Sequence, residues 1–198
     1  MKLTSDIALD LLNKCKDCDD TNWIDHSICV GNTASVIAKA LNLDGDKAKA
    51  MGYIHDIGKG HGDFNAHIIN GYNYLKELGY DEEYANICLT HSYLNNDIMC
   101  TAGVDPKFIH LMKGYNYIKR FVEYHRYTIY DRIINLCDLM CTSNTVTIDK
   151  RLIDVIIRRG VFSNAQYHIS ETYKLKEYFD NLLGYNLYDL FPRIKDNL

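Results

Sequence analysis

The chain has 198 residues, of which 47% are hydrophobic and 24% charged, and its formal net charge is -4. A chain of this length can bury one sizeable core, and the composition excludes a disordered or fibrous protein. The acidic balance gives no overall attraction to nucleic acid or to an anionic membrane, so neither is an expected partner, and any phosphate chemistry must rest on local groups.

The segment Met1-Lys2-Leu3-Thr4-Ser5-Asp6 lacks the apolar stretch of a secretory signal. No apolar run is long enough to span a bilayer, so a cytoplasmic location is expected. Only Pro106 and Pro192 interrupt the chain, and apolar residues recur at the helical period, which predicts an all-α protein. A first helix begins near Thr4 or Ser5 and carries Ile7, Leu11 and Leu12 up to the acidic stretch Asp17-Cys18-Asp19-Asp20. A second runs from about Trp23 to Leu41. Its stripe of Val30, Ala34, Ile37, Ala40 and Leu41 extends back one turn to His26, which therefore faces inward.

A third helix starts near Asp46, carries Ala48, Met51 and Ile54, and ends at His55 to Gly58, where the glycines cannot sustain it. A fourth reaches about Leu78, with His67, Gly71, Tyr74 and Leu78 on one face and Gly79 as its stop. Asp81 caps a fifth through Tyr84, Ile87 and Cys88 to His91, and a loop is predicted from Leu94 to Pro106. The stretch from Pro106 to Tyr130 is aromatic and basic. A further helix carries Ile129, Ile133, Leu136 and Met140, with Asp131, Asn135 and Asp138 on the neighbouring face. From about 149 to 188, two amphipathic helices built on Leu152, Val155, Ile156, Leu175, Tyr178, Phe179 and Leu182 mainly cover the core of what reads as one domain over residues 1–198.

Among the seven cysteines, Cys29, Cys88, Cys100, Cys137 and Cys141 sit among apolar neighbours and read as reduced, buried thiols. Cys15 and Cys18 form a CxxC with no second pair at zinc-ribbon spacing, and the motif is taken as incidental. The chemistry gathers elsewhere. His55-Asp56 has candidate partners in His26, His67, His91 and Asp138, and this mix of imidazole and carboxylate suits a divalent transition metal better than magnesium or calcium. Each histidine alone is more often a hydrogen-bonded core residue. Three inward histidines would need three unrelated polar partners, whereas one metal centre satisfies them together. His61, close to Asp56 in sequence, competes with His67 as a ligand, and His67 is preferred. His110, His125 and His168 have no comparable context and read as exposed or structural; Asp131 or Asp63 is a candidate to orient a ligand imidazole or water, although each alone reads as a solvated surface residue. Gly60 stands where a P-loop needs Ser or Thr, so that reading fails.

With His26 in Ile24-Asp25-His26-Ser27, the run His55-Asp56-Ile57-Gly58-Lys59, and Asp138 in Ile134-Asn135-Leu136-Cys137-Asp138-Leu139-Met140, the chain resembles the HD-domain metal-dependent phosphohydrolase superfamily over about residues 23–141. The resemblance implies an HD-type helical bundle in which His26, His55, Asp56 and Asp138 hold a metal. The segments Ala66-His67-Ile68-Ile69-Asn70-Gly71-Tyr72 and Ile87-Cys88-Leu89-Thr90-His91-Ser92 are similar to the extra motifs of two-metal members, including the symmetrical dinucleoside tetraphosphatase family. That layer implies that Asp56 bridges two ions, with His67 and His91 on the second and His26, His55 and Asp138 on the first.

Two such ions lie about 3.5–4 Å apart and clamp a phosphate, and coordination lowers the pKa of water from 15.7 to about 7. The implied activity is hydrolysis of a phosphate ester or anhydride by a metal-activated hydroxide on a small phosphorylated substrate, a nucleotide by preference. Iron, manganese, cobalt, nickel and zinc all suit the ligand set. Asp56 and Lys59 are the candidate catalytic residues, with Lys59 matching the HDxGK pattern and placed to meet charge on a phosphate oxygen. Lys59, Arg120 and Arg126 are the candidate substrate-binding residues, the last two from the aromatic basic stretch Lys113 to Arg126. Alternatives are a single-metal 5'-nucleotidase-like enzyme, a di-iron HD oxygenase and a non-catalytic nucleotide-binding module. A homo-oligomer is compatible with the apolar content.

Overall fold

Local capping sets where the first helices begin. The Thr4 side chain accepts from Ile7 N at the start of α1 (Ser5–Asn13), and the Asp44 carboxylate accepts from Asp46 N and Lys47 N at the start of α3 (Gly45–Ile54). Between them lies α2 (Asn22–Ala40), which carries His26 on its second turn. The computed structural model describes residues 1–15, 22–102 and 105–197. Cys18, the second cysteine of the CxxC, and the acidic stretch Asp17 to Asp20 lie outside the described residues.

Helices α2 and α3 cross in backbone contact, because a Cβ at Gly52 would lie 2.4 Å from the Gly31 Cα. After α3 the chain makes a 3-10 turn over Ile57–Gly60, a second over Phe64–Ala66, and enters α4 (His67–Glu77). A Cβ at Gly58 would lie 2.0 Å from the His67 carbonyl oxygen and 2.4 Å from Gly71 N, so only glycine lets this turn rest on the backbone of α4. That contact sets the HDxGK run beside the first turn of α4. Next comes α5 (Glu82–Thr90), with His91 at its C-cap.

The aromatic basic stretch folds as α6 (Tyr115–Tyr124), entered through Gly114 at φ 78°. Ile68, Leu89, Tyr93, Ile98, Ile109, Ile118 and Val122 form the cluster that seats it on the bundle. At α7 (Ile129–Asp138), Thr128 and Asp131 cap each other reciprocally, and Asp138 is the last helical residue, not an interior one. Thr147 caps α8 (Ile148–Arg159), and α9 (Ala165–Leu183) closes the succession at Gly184. The described residues form nine α-helices with short 3-10 turns and no strand.

Cys29, Cys88, Cys100, Cys137 and Cys141 are buried and carry no disulfide among the described residues. No helix of the described residues is long and apolar enough to cross a membrane.

Candidate metal centre

Four helix ends and one helix interior supply the cluster. His26 projects from α2, His55 caps α3, His67 opens α4, His91 caps α5, and Asp138 ends α7. Ligand atoms of His26, His55 and Asp56 lie within 4.8 Å of one another, and so do those of Asp56, His67 and His91. Asp56 is common to both groups. Asp138 Oδ1 stands 2.9 Å from His26 Nε2, which brings all six sequence-predicted residues into one place.

Backbone carbonyls orient three of the imidazoles. His55 Nδ1 donates to Gly52 O at 2.7 Å, His67 Nδ1 to Phe64 O at 3.1 Å and His91 Nδ1 to Cys88 O at 3.0 Å. With the proton on Nδ1, each Nε2 presents a lone pair, and each lies 3.4 Å from an Asp56 carboxylate oxygen. Lone pairs facing lone pairs repel unless a cation or a proton sits between them. His55 Nε2 and Asp56 Oδ1 are buried without a hydrogen-bond partner, as is His26 Nδ1. Buried orphan acceptors converging on one carboxylate fit a divalent transition metal.

The electrostatics agree. Burial pushes His55 down to about 3 and His67 down to about 4, so both are neutral and ready to ligate at neutral pH. Burial also pulls His91 down, but the Asp56 carboxylate 3.4 Å from its Nε2 favours positive charge there and raises it, at the place a cation would take. Burial works upward on Asp56 and is overcome by Lys59, His55 and the other imidazoles, which hold the carboxyl well below its usual range. Lys59 Nζ is ion-paired with Asp56 Oδ2 and lies 5.3 Å over the Phe64 ring. Asp138 is lowered by its bond to His26 against the opposing effect of burial.

The cluster lies in a cleft of about 930 Å³. Arg120 is exposed and lines a separate hollow with Tyr117, Phe121, Tyr124 and His125, and neither it nor Arg126, the substrate-binding candidates of the aromatic basic stretch, is among the residues that line the cleft. The cations that do line it are Lys59 and, from α8, Arg151, Arg158 and Arg159. The helices expected mainly to cover the core therefore supply a wall of the site. Arg151 Nε donates to Asp138 O at 3.2 Å.

The structure also places three residues whose roles the sequence left open. His168 is 2% exposed and lines the cleft. Asp131 is buried and accepts from Thr90 Oγ1 and from Thr128, so it braces the junction of α5 and α7. His61 stacks on Tyr74 and faces Cys15 Sγ at 3.7 Å, away from the ligand role. Asn135 was visible only as a neighbour of Asp138 on one helical face, yet its Nδ2 donates to the carbonyls of Thr90 and His91.

A model of the HD domain family matches residues 23–142, and the chain belongs to this family of metal-dependent phosphohydrolases. Over 72 residues it is 38% identical to ribonuclease Y of Fervidobacterium nodosum, a match covering 35% of this chain and 14% of that protein. Ribonuclease Y of Thermosipho melanesiensis is 36% identical over 72 residues, again 35% of this chain and 14% of the relative. The chain thus spans a small part of the length of these curated relatives. No solved structure matches it.

Proposed function

We propose that the protein is a two-metal hydrolase of a phosphate ester or anhydride, with a nucleotide as substrate. The observation that carries this reading is the sharing of Asp56 between two groups of nitrogen ligands. When bound, two transition-metal ions would polarise the phosphoryl oxygens and acidify water, from a pKa of 15.7 to about 7.

The chain's own residues prepare for that chemistry. The carbonyls of Gly52, Phe64 and Cys88 lock three imidazoles in the ligating tautomer, so little reorganisation accompanies metal binding. His26 and Asp138 hold each other at the edge of the first group, and Arg151 fixes Asp138 through its backbone carbonyl. Lys59 screens Asp56 and, lining the cleft, is placed to meet charge that develops on a phosphoryl oxygen. Arg159 and Arg158, the latter ion-paired with Asp154, line the cleft from the end of α8 and bring positive charge to it that suits a phosphate. Phe64, Phe108, Ile109 and Met112 give the cleft apolar walls that thin out water around the reacting group.

The ribonuclease named in the relatives belongs to those proteins. The acidic balance of this chain favours a small substrate over a polynucleotide. The test is phosphate release by the manganese-loaded protein from nucleoside mono- and polyphosphates, dinucleoside polyphosphates and bis(p-nitrophenyl) phosphate. Release from a nucleotide is the expected result. Oxygen consumption without phosphate release would point to an oxygenase, and silence on every compound to a binding module.

A further inference from the structure

Phe64 opens the short turn between the HDxGK run and α4, and it is 44% exposed. It belongs to none of the three apolar clusters of the described residues. A single apolar side chain exposed on a convex surface needs no explanation, but this one lines the cleft that holds the Asp56 cluster. Two contacts fix its place beside that cluster. Lys59 Nζ, ion-paired with Asp56 Oδ2, stands 5.3 Å over the Phe64 ring, and the His67 imidazole lies tilted at 45° with its centroid 6.4 Å away. The turn that carries the ring is itself pinned. The Asp63 carboxylate accepts from Asn65 N at 3.0 Å, Asn70 Nδ2 donates to Asp63 O at 3.1 Å, and the Phe64 carbonyl accepts from His67 Nδ1 at 3.1 Å.

We propose that Phe64 stacks on the base of a nucleotide whose phosphate lies at the Asp56 cluster, which makes it a specificity-determining residue of this cleft. The assignment rests on the nucleotide reading given above. Packing does not account for the ring, since it lies outside every apolar cluster. Its position does. A phosphate that meets Lys59 lies next to this ring, so a base joined to that phosphate through a sugar comes within its reach. A phenyl ring offers a π face and apolar area but no hydrogen-bonding group, which suits the flat face of a heteroaromatic base and selects for the presence of a base, not for its identity. The ammonium held over the ring ties the stacking surface to the group that meets the phosphate charge. Because the turn and Lys59 hold the ring in advance, little ordering accompanies binding.

The test is calorimetric titration of the manganese-loaded full chain with the nucleoside 5'-monophosphates of adenine, guanine, cytosine and uracil, and with ribose 5-phosphate, which has the same sugar and phosphate without a base. Wild type should bind at least one nucleotide more tightly than ribose 5-phosphate. Phe64→Ala should cut that preference by about 5-fold or more, the loss of one base–aromatic stack, and Phe64→Tyr, which keeps the ring, should retain it. If Phe64→Ala binds neither kind of compound, Phe64→Leu, which keeps apolar bulk without a π face, is read in its place. A wild type that binds ribose 5-phosphate as tightly as every nucleotide, a full preference kept without the ring, or equal loss in Phe64→Tyr overturns the assignment. A wild type that binds none of these phosphates brings down the nucleotide reading and the assignment with it. Absence of hydrolysis with the preference intact would count against the hydrolase and leave Phe64 in its role.

Discussion

Asp56 is the residue on which both halves of the centre depend. It is buried, one of its oxygens has no hydrogen-bond partner, and its charge is balanced in the protein by Lys59. Asp56→Asn keeps the shape and removes the charge. Since loss of a residue that merely orients a metal ligand costs about 10- to 100-fold, loss of the shared ligand should reduce phosphate release by more than about 100-fold and lower bound metal, measured by elemental analysis. His168 offers a second prediction, in stability. Burial lowers it from 6.5 to about 4 against the opposing charge of Asp138, so at intermediate pH the unfolded chain binds a proton that the folded chain does not. Its contribution is intact above pH 6.5 and is lost as pH falls towards 4. Denaturant unfolding at pH 7 and pH 4.5 should show His168→Leu losing about 2 kcal/mol less than wild type over that interval, and parallel losses would contradict the burial argument. The six metal-cluster residues were legible in sequence because histidine and aspartate in that order have few other common causes. His168 was not legible, because a lone histidine on an amphipathic helix carries no spacing signal, and its burial is decided by Phe162 and the fold of α8 against α9.

At the level of elements, the site depends on how helix ends are held together. Gly58 is the closest approach, and a methyl group there would collide with the α4 backbone at 2.0 Å. Gly58→Ala should destabilise the fold by about 1–3 kcal/mol in thermal unfolding and should draw His67 away from Asp56, so the second metal is lost before the first. Asn135 ties the end of α5 to α7 through the carbonyls of Thr90 and His91, beside the Thr90–Asp131 bond. Asn135→Ala takes its donor from the His91 carbonyl, while the Thr90 carbonyl keeps Tyr93 N, and should cost about 1–3 kcal/mol, with weaker metal retention at the half-site of His91. An unchanged melt would place the His91 carbonyl in contact with water. The helices with strong stripes, such as α2 and α7, were readable from apolar period and caps. The extent of α6 within the aromatic basic stretch was not, because its seat is the separate cluster around Tyr93 and Ile118, formed by residues distant in sequence. Arg120 and Arg126 were legible as basic residues, but that Arg120 lines a hollow separate from the cleft depends on that seating.

Across the whole molecule, three apolar clusters meet around one cleft. The main core holds α2, α3, α5 and α7, the Ile118 cluster carries α6, and the Val155 cluster joins α8 to the start of α9. Residues of all three line the cleft, among them Leu139, Ile109 and Val155. The all-helical class followed from apolar period and proline scarcity, and the matched family region of residues 23–142 agrees with the motif core read from the sequence. The role of α8 and α9 as a wall needed the tertiary packing, since an amphipathic stripe reads the same whether its polar face meets solvent or a cleft. The central claim is a centre of two ions sharing Asp56, and metal content per chain tests it most directly. Elemental analysis of the manganese-loaded protein should find about two ions per chain, falling to about one in His67→Ala and in His91→Ala. One ion in wild type, unaffected by either substitution, would contradict it.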